Sequence, residues 1–289
     1  MDKAKILVQL DTDPLPSVFD RVVAVDAGAE HVFAYGGVTP ERVRDLVFGC
    51  LFTRGPNDLR HTAIFIGGAD VAAGERLLAE VRKALIPQYG LRVSVLLDSN
   101  GANTTAAATV RAAARHLNLA NTPALVLGGT GPVGQRVARL LARAGAEVRL
   151  GSRQKDRAEA VCEAIRKHVP GARLEAVATA SAADAPSALS GRVLVIAAGA
   201  AGVVLLPKKY RAMCATLQVA IDLNAVPPAG IEGVDMTDAA ARRDGVISYG
   251  AIGIGGTKMK THKAAIAKLF ERNDQVLDAE EVYELAQQF

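Results

Sequence analysis

The sequence predicts a two-domain α/β protein in which both domains are parallel sheets with helical crossovers and the second sheet is doubly wound. Three observations carry that prediction. Short apolar runs alternate with Ala- and Leu-rich stretches whose apolar residues recur at helical spacing, the pattern of strands joined by crossover helices. The alternation occurs in two series, separated by the polar break Leu119–Pro123 (LANTP). At 289 residues the chain is also longer than one ordinary domain.

In the first series Ile6–Leu10, Ala63–Ile66 and Arg92–Leu97 read as strands, and Ala69–Ala84 and Thr104–Leu117 as helices. The second series is longer. Ala124–Leu127, Glu147–Gly151, Leu174–Val177, Val193–Ala197, Leu217–Asp222 and Val246–Tyr249 are six candidate strands with helical stretches between them, enough for a complete nucleotide-binding domain of the Rossmann type. The Ala/Ser-rich stretch 178–189 reads as a loop with a short helix. Lys258–Phe270 and Asp278–Gln287 read as C-terminal helices that pack back on the N-terminal domain. The expected division is an N-terminal α/β substrate domain over 1–120, a doubly wound domain over 121–257, and returning helices over 258–289.

Composition narrows the function classes. Half of the residues are hydrophobic and 22% are charged, which supports a full core and argues against disorder. Aromatics are 4%, Trp is absent, and 34 basic residues are interspersed with 30 acidic ones, so no base-stacking or basic nucleic-acid surface is expected. Cys50, Cys162 and Cys214 are scattered and odd in number, which fits a reducing compartment and no disulfide framework. The start MDKAKILVQLDTD turns acidic too soon for a signal peptide. No apolar run reaches the ~18 residues of a membrane span. The expectation is a cytoplasmic protein with neither a membrane nor a nucleic acid as partner.

The strongest motif follows the first strand of the second series. Gly129-Thr130-Gly131-Pro132-Val133-Gly134 lies between an apolar run and an amphipathic helix, with a second strand at Glu147–Gly151. Gly129 would allow the tight turn, Gly131 the approach of backbone N–H groups to a pyrophosphate, and Gly134 close helix–strand packing. Pro132 loses nothing in the first helical turn, where its N–H would lack a partner anyway. The free N–H groups and positive dipole end of that helix suit phosphate.

The next strand ends in Gly151-Ser152-Arg153, where a domain selective for NAD usually carries an acid for the ribose hydroxyls. A hydroxyl and a guanidinium there, with Lys155 and Arg157 beyond, suit a 2′-phosphate, so NADP is the expected cofactor and NAD a possible one. Arg153 and Lys155 can also be read as solvated charges opening a helix. Ala198-Gly199 ends the fourth strand with residues small enough to admit a nicotinamide ribose. Asn224 reads either as an amide that orients the nicotinamide or the substrate, or as a turn residue before Pro227-Pro228.

No familiar proton-transfer set is present. The five histidines lack metal-ligand spacing, there is no Cys-x-x-Cys or His-Glu-x-x-His, and no metal is expected. Three polar islands remain: Asp11–Asp20, Asp98–Thr105 and Gly253–Lys258. The last two follow strands, where open α/β sheets bind ligands. Asp98, Asn100, Asn103, Thr104 and Thr105 are therefore candidate substrate contacts, with helix capping as the alternative for Asn103 and Thr104. Lys258 and Asp20 are candidate catalytic residues. Their alternatives are a surface lysine opening a helix and a local cap.

The strings SVFD, GGADVAAGER, LLDSNGANTTAAA, GGTGPVG, NAVPPAGIEGVD and GAIGIGGTKMKTH resemble the bacterial NADP-dependent methylene-tetrahydromethanopterin dehydrogenases of one-carbon metabolism, from Asp11 to the Asp278-Ala279-Glu280-Glu281 helix start. The resemblance implies hydride transfer from methylene-tetrahydromethanopterin to NADP, giving the methenyl pterin and NADPH, in a cytoplasmic homo-oligomer. Some relatives also accept methylene-tetrahydrofolate or NAD. The matching active-site positions are Asp20, Asn103–Thr105 and Lys258. A related branch has a Pro-Ala-Gly-Ser type loop where this chain has Ser99-Asn100-Gly101-Ala102, which places the chain nearer the NADP-preferring branch. The reaction also explains the missing acid and base. The carbon that loses hydride lies between two nitrogens whose lone pairs stabilise the cation, so the protein must chiefly position it and exclude water. The alternatives are a methylene-tetrahydrofolate dehydrogenase of the same fold and a non-catalytic NADP sensor.

Overall fold

The computed structural model describes residues 3–289, except the side chain of Ala182. In chain order the elements are β1 (Ile6–Asp11), α1 (Val18–Asp26), β2 (His31–Tyr35), α2 (Val43–Leu51), β3 (Thr62–Gly67), α3 (Val71–Ala84), β4 (Ser94–Leu97) and α4 (Ala102–Ala114). Then follow β5 (Pro123–Leu127), α5 (Pro132–Arg143), β6 (Glu147–Ser152), α6 (Lys155–His168), β7 (Arg173–Ala178), α7 (Ala185–Leu189), β8 (Leu194–Ala197), α8 (Lys208–Met213) and β9 (Val219–Asp222). The chain closes with β10 (Ala239–Arg243), β11 (Val246–Tyr249), α9 (Ala251–Lys268), β12 (Val276–Leu277) and α10 (Ala279–Ala286).

Packing divides the chain into two compact units, one of residues up to Thr104 together with Met259–Phe289, the other Thr105–Lys258. The division thus falls inside α4 rather than near residue 120, because α4 is a single helix that begins in one unit and ends in the other. α9 carries the chain back in the same way.

The first unit holds a parallel sheet of order β12-β4-β3-β1-β2. Its inner strands read as continuous apolar runs because both faces are covered; β3 is buried along its whole length. Val8, Leu10, Ile64, Ile66, Val95 and Leu97 point to one face and form a core with Val47 and Leu51 of α2 and Leu77 and Val81 of α3. The C-terminal segment joins this unit through β12, which pairs with β4, and through Ser94 Oγ, which donates to the Arg272 carbonyl at 2.8 Å.

The second unit holds a seven-stranded sheet, read from one edge as β7-β6-β5-β8-β9-β11-β10. Six strands are parallel and β10 pairs antiparallel with β11. In order of appearance the parallel strands run 3-2-1-4-5-6, the doubly wound order, with the reversal between β5 and β8. Leu125, Leu127, Val195, Ala197, Ala220 and Leu206 form the core on one face.

One expected loop is a helix. α9 starts at Ala251, seven residues before Lys258, and runs through Gly253, Gly255 and Gly256. Its start lies so close to the loop at residues 235–239 that a β-carbon on Gly253 would sit 1.7 Å from the Asp238 carbonyl oxygen. The Ile252 N–H donates to the Met236 carbonyl at 2.8 Å, so backbone carbonyls satisfy donors of the first turn.

No helix of the described residues is long and apolar enough to cross a membrane. Cys50, Cys162 and Cys214 are all free thiols.

Candidate active site

In the second unit the β5–α5 turn builds a phosphate cradle from local sterics. The left-handed residue is Gly128, at φ +68°, not Gly129. A β-carbon there would lie 2.5 Å from the Cα of Gly199, so the turn after β5 rests directly on the turn after β8. Gly129 is required for another reason: a β-carbon would meet Leu150 Cγ of β6 at 2.5 Å. Gly134 keeps α5 against the turn, since its β-carbon would stand 2.5 Å from the Gly128 carbonyl oxygen. Gly131 precedes Pro132, the first residue of α5, so the helix N-terminus opens over the cradle.

A cavity of about 760 Å³ lies over this turn. Gly128, Thr130, Gly131, Pro132, Ala198 and Gly199 line it from the switch between β5 and β8. Ser152, Arg153, Gln154, Arg157 and Thr179 line it from the ends of β6 and β7. Ser152 is buried and its hydroxyl accepts from the Gln154 N–H at 3.2 Å, fixing the turn that presents Arg153. Arg153 stands just before α6 and Arg157 in its first turn, so two exposed guanidinium groups flank one helix N-terminus.

Two expected cofactor contacts lie elsewhere. Lys155 is outside the cavity lining and pairs with Glu159 at 3.6 Å, one helical turn on. The Asn224 amide is held by its own loop: Nδ2 donates to the Pro228 carbonyl at 2.9 Å, and Oδ1 accepts from the Val226 N–H at 3.0 Å. It acts as the turn residue of that loop, which contains a cis Pro227–Pro228 peptide. Asp222 supports the loop by accepting from the Asn224 and Ile231 N–H groups, and its burial pushes the carboxyl above its usual range. Val133 and Gly134 shape the cradle without lining the cavity.

In the first unit the carboxyl ends of β1, β3 and β4 bring together Asp11, Gly67-Gly68 and Asp98. Asp11 is fully buried; its carboxylate accepts from Gln9 Nε2 and from the N–H groups of Asp13 and Ser17, which folds the β1–α1 loop back on its strand. Ser17 caps α1 by accepting from the Asp20 N–H at 3.2 Å. Burial holds the Asp20 carboxyl above its usual range; His262 pulls it down, and Asp98 and Asp11 push it up.

Asp98, Asn103 and Thr104 are buried, and the last two both hydrogen-bond to the Asp98 carboxylate. The Asp98 carboxylate accepts from the Asn103 and Thr104 N–H groups at 2.9 and 3.0 Å and from the Thr104 hydroxyl at 2.7 Å. Asn103 Nδ2 donates to the Leu97 carbonyl at 2.6 Å and to the Asp278 carboxylate at 2.9 Å. This is the cap of α4, and it ties α4 to the start of α10. Asn100 is exposed in a left-handed conformation, with its N–H on the Gly68 carbonyl at 2.7 Å. Thr105 is half-buried, and its carbonyl accepts from the Thr109 hydroxyl.

His262 was not singled out in the sequence. It is 1% exposed on α9, its ring stacked on that of Phe65 of β3 at 5.8 Å and tilted against that of Phe19 of α1 at 6.2 Å. Lys258 is half-buried one turn earlier on α9, so the two share a helix face. That i, i+4 spacing was the available signal. Gln154 and Thr179 also escaped the sequence reading; of the pair expected beyond Arg153, Arg157 lines the cavity and Lys155 does not.

Known proteins resemble this chain at each level described. The family model for methylene-tetrahydromethanopterin dehydrogenase, N-terminal, matches residues 18–100, and that for coenzyme F420-dependent NADP oxidoreductase matches residues 124–198. The chain is 46% identical over 286 residues to bifunctional protein MdtA of Methylorubrum extorquens, covering 98% of both chains. It is 30% identical over 280 residues to the NAD(P)-dependent methylenetetrahydromethanopterin dehydrogenase of the same organism, covering 93% of both. Among solved structures, quinate dehydrogenase from Corynebacterium glutamicum in complex with NAD matches over 99% of both chains with a TM-score of 0.53 at 14% identity, a likeness of fold alone. With identity of this extent over nearly its whole length, the chain belongs to the methylenetetrahydromethanopterin dehydrogenase family.

Proposed function

We propose that the chain transfers a hydride from methylene-tetrahydromethanopterin to NADP, giving methenyl-tetrahydromethanopterin and NADPH, and that it does so as a homo-oligomer in the cytoplasm. The observation that carries the cofactor reading is the cavity over the β5–α5 turn, with the bare helix N-terminus at one end and Arg153 and Arg157 at the other. Its volume is that of a small-molecule site. A dinucleotide fits this cradle because Gly128, Gly129 and Gly134 are each held to glycine by backbone or side-chain atoms nearby, which leaves the turn closed to side chains and open to a phosphate.

When bound, NADP supplies the hydride acceptor. Thr130 and the first turn of α5 at Val133 and Gly134 would hold its pyrophosphate by backbone N–H groups, and Ser152, Arg153 and Arg157 would hold the 2′-phosphate by charge-assisted hydrogen bonds. Ala198 and Gly199 leave room for the nicotinamide ribose. Asp20 and Lys258 orient the pterin and set the charge around its imidazolidine ring, with Asn100 and Thr105 as further contacts. Asp98, Asn103 and Thr104 serve the site by fixing the start of α4. No residue need take a proton from the reacting carbon, so positioning and exclusion of water are the protein's work.

A steady-state assay with methylene-tetrahydromethanopterin and NADP, read by the absorbance of reduced nicotinamide, tests the reaction. NADP binding without turnover would sink it. Lys258→Ala should lower kcat/KM by about two orders of magnitude or more while leaving the melting temperature unchanged; normal turnover with normal pterin affinity would remove Lys258 from the site.

A further inference from the structure

A backbone turn that binds an anion must point its N–H groups inward and keep its carbonyls aside, because a carbonyl oxygen aimed at a phosphate repels it. In the turn after β5 the main chain takes up two of the carbonyls. That of Gly128 accepts from the Gly131 N–H at 3.0 Å, and that of Gly131 accepts from the Gln135 N–H at 3.0 Å. The Thr130 carbonyl between them is held by a side chain: it accepts from Gln135 Nε2 at 2.8 Å.

Gln135 is the fourth residue of α5 and is half-buried. It therefore grips two successive carbonyls of the turn, one with its main-chain N–H and one with its amide. It does not line the cavity, so the Thr130 carbonyl is engaged outside the space over the turn. Thr130 is fixed at a second point by its hydroxyl, 3.4 Å from the Ser152 hydroxyl at the end of β6. With carbonyl and side chain both held, the Thr130 N–H is left for a phosphate; it makes no hydrogen bond among the described residues.

We infer that Gln135 is a positioning residue for the cofactor: by drawing the Thr130 carbonyl aside, it keeps acceptors out of the cradle that holds the pyrophosphate. The inference rests on the NADP reading above. Without the Gln135 amide, the peptide between Thr130 and Gly131 loses the group that fixes its rotation. Turning that peptide aims an oxygen into the cradle and takes the Gly131 N–H off the Gly128 carbonyl, which loosens the turn. Both changes weaken the hold on a pyrophosphate. Neither reaches the 2′-phosphate, whose partners Arg153 and Arg157 stand beyond the end of β6. Loss of Gln135 thus has a signature opposite to loss of Arg153, since it acts on the part that NAD and NADP share.

The test is calorimetric titration of the full-length protein with NADP, NAD and adenosine 2′-monophosphate, which carries the 2′-phosphate and no pyrophosphate. Gln135→Met keeps the length of the side chain and removes its donor. NADP and NAD should each bind this variant about three- to tenfold more weakly, the worth of one neutral hydrogen bond. Their ratio should not change, and adenosine 2′-monophosphate should bind as it does to wild type. Gln135→Glu sets a carboxylate against the Thr130 carbonyl and should weaken both dinucleotides further at neutral pH. Its NAD binding should recover as pH falls through the carboxyl's range, because the protonated acid is again a donor. Unchanged dinucleotide affinity in both variants overturns the inference, whether or not the melting temperature falls. An equal loss of adenosine 2′-monophosphate also overturns it, since Gln135 would then be a general support of the cavity. A wild type that binds none of the three nucleotides overturns the cofactor reading and this inference together.

Discussion

Removing the guanidinium of Arg153 should separate NADP from NAD. A charge-assisted hydrogen bond to a 2′-phosphate is worth about 1.5–3 kcal/mol. Two features put Arg153 at the low end of that range. It is exposed, so water competes for both partners, and Arg157 lines the same cavity one helical turn on and retains part of the attraction. Arg153→Ala should therefore weaken NADP by about 1.5 kcal/mol, roughly tenfold in Kd. The double variant Arg153→Ala/Arg157→Ala should reach about a hundredfold. NAD carries only a neutral hydroxyl at this position, so its affinity should change less than about twofold in both variants. Calorimetric titration of each cofactor, repeated at low and high salt, reads the effect. Discrimination in the wild type should shrink as salt rises, because the contact is screened. Equal weakening of NAD and NADP would refute the assignment and return Arg153 to a role in folding the β6–α6 turn.

Three other perturbations follow from the geometry. Asp98→Ala leaves the Asn103 and Thr104 N–H groups and the Thr104 hydroxyl buried without their acceptor; it should cost about 2–5 kcal/mol and lower the melting temperature by about 5–15 °C, whereas an unchanged melt with weaker pterin binding would make Asp98 a ligand contact. Asp20→Asn should act in the opposite sense on stability. Because burial raises the Asp20 carboxyl pKa, the folded state binds its proton more readily than the unfolded state, and stability falls as pH rises through the window between the two values. The neutral variant should thus melt higher than wild type at neutral pH, with the difference vanishing below about pH 4, while turnover falls; scanning calorimetry that found it less stable at neutral pH would contradict this. Cys50, whose thiol burial pushes up to about 12, and Cys162, raised by the same cause, should resist a thiol reagent at mildly alkaline pH until the chain unfolds, leaving the half-buried Cys214 as the native site of slow modification.

The fold was legible wherever a strand is buried on both faces. Runs such as Ala124–Leu127 and Ala63–Ile66 are apolar throughout because helices cover the sheet above and below. Elements at the margins escaped. β2 alternates exposed and half-buried residues at a sheet edge, and β12 is only two residues held by β4. α1 is VFDRVVAVD, where β-branched residues weaken the helical signal and a second apolar face blurs its periodicity. The start of α9 reads as a loop because three glycines fall in its first turns. At Gly253 the glycine marks a close approach of helix to loop rather than a turn, and no sequence pattern distinguishes those two uses.

The site divides on the same principle of local and distant causes. The phosphate cradle was legible because strand, turn and helix are contiguous and each glycine meets atoms within or beside that unit. His262 was not, because its neighbours Phe19 and Phe65 arrive from α1 and β3 at the far end of the chain. The polar island at Asp98–Thr105 shows a harder limit. A buried helix cap and a ligand contact call for the same residue types in the same place, after a strand and before a helix. What separates them is the state of the side chain in the fold. Asp98 is buried and meets three donors of α4, so its charge is stabilised where it stands. Asp20 is held where burial works against its ionised form, with two further carboxylates adding to the penalty and a histidine offsetting part of it. Carboxylates perturbed by burial concentrate at functional sites, and this contrast favours Asp20 over Asp98 as the proposed pterin contact.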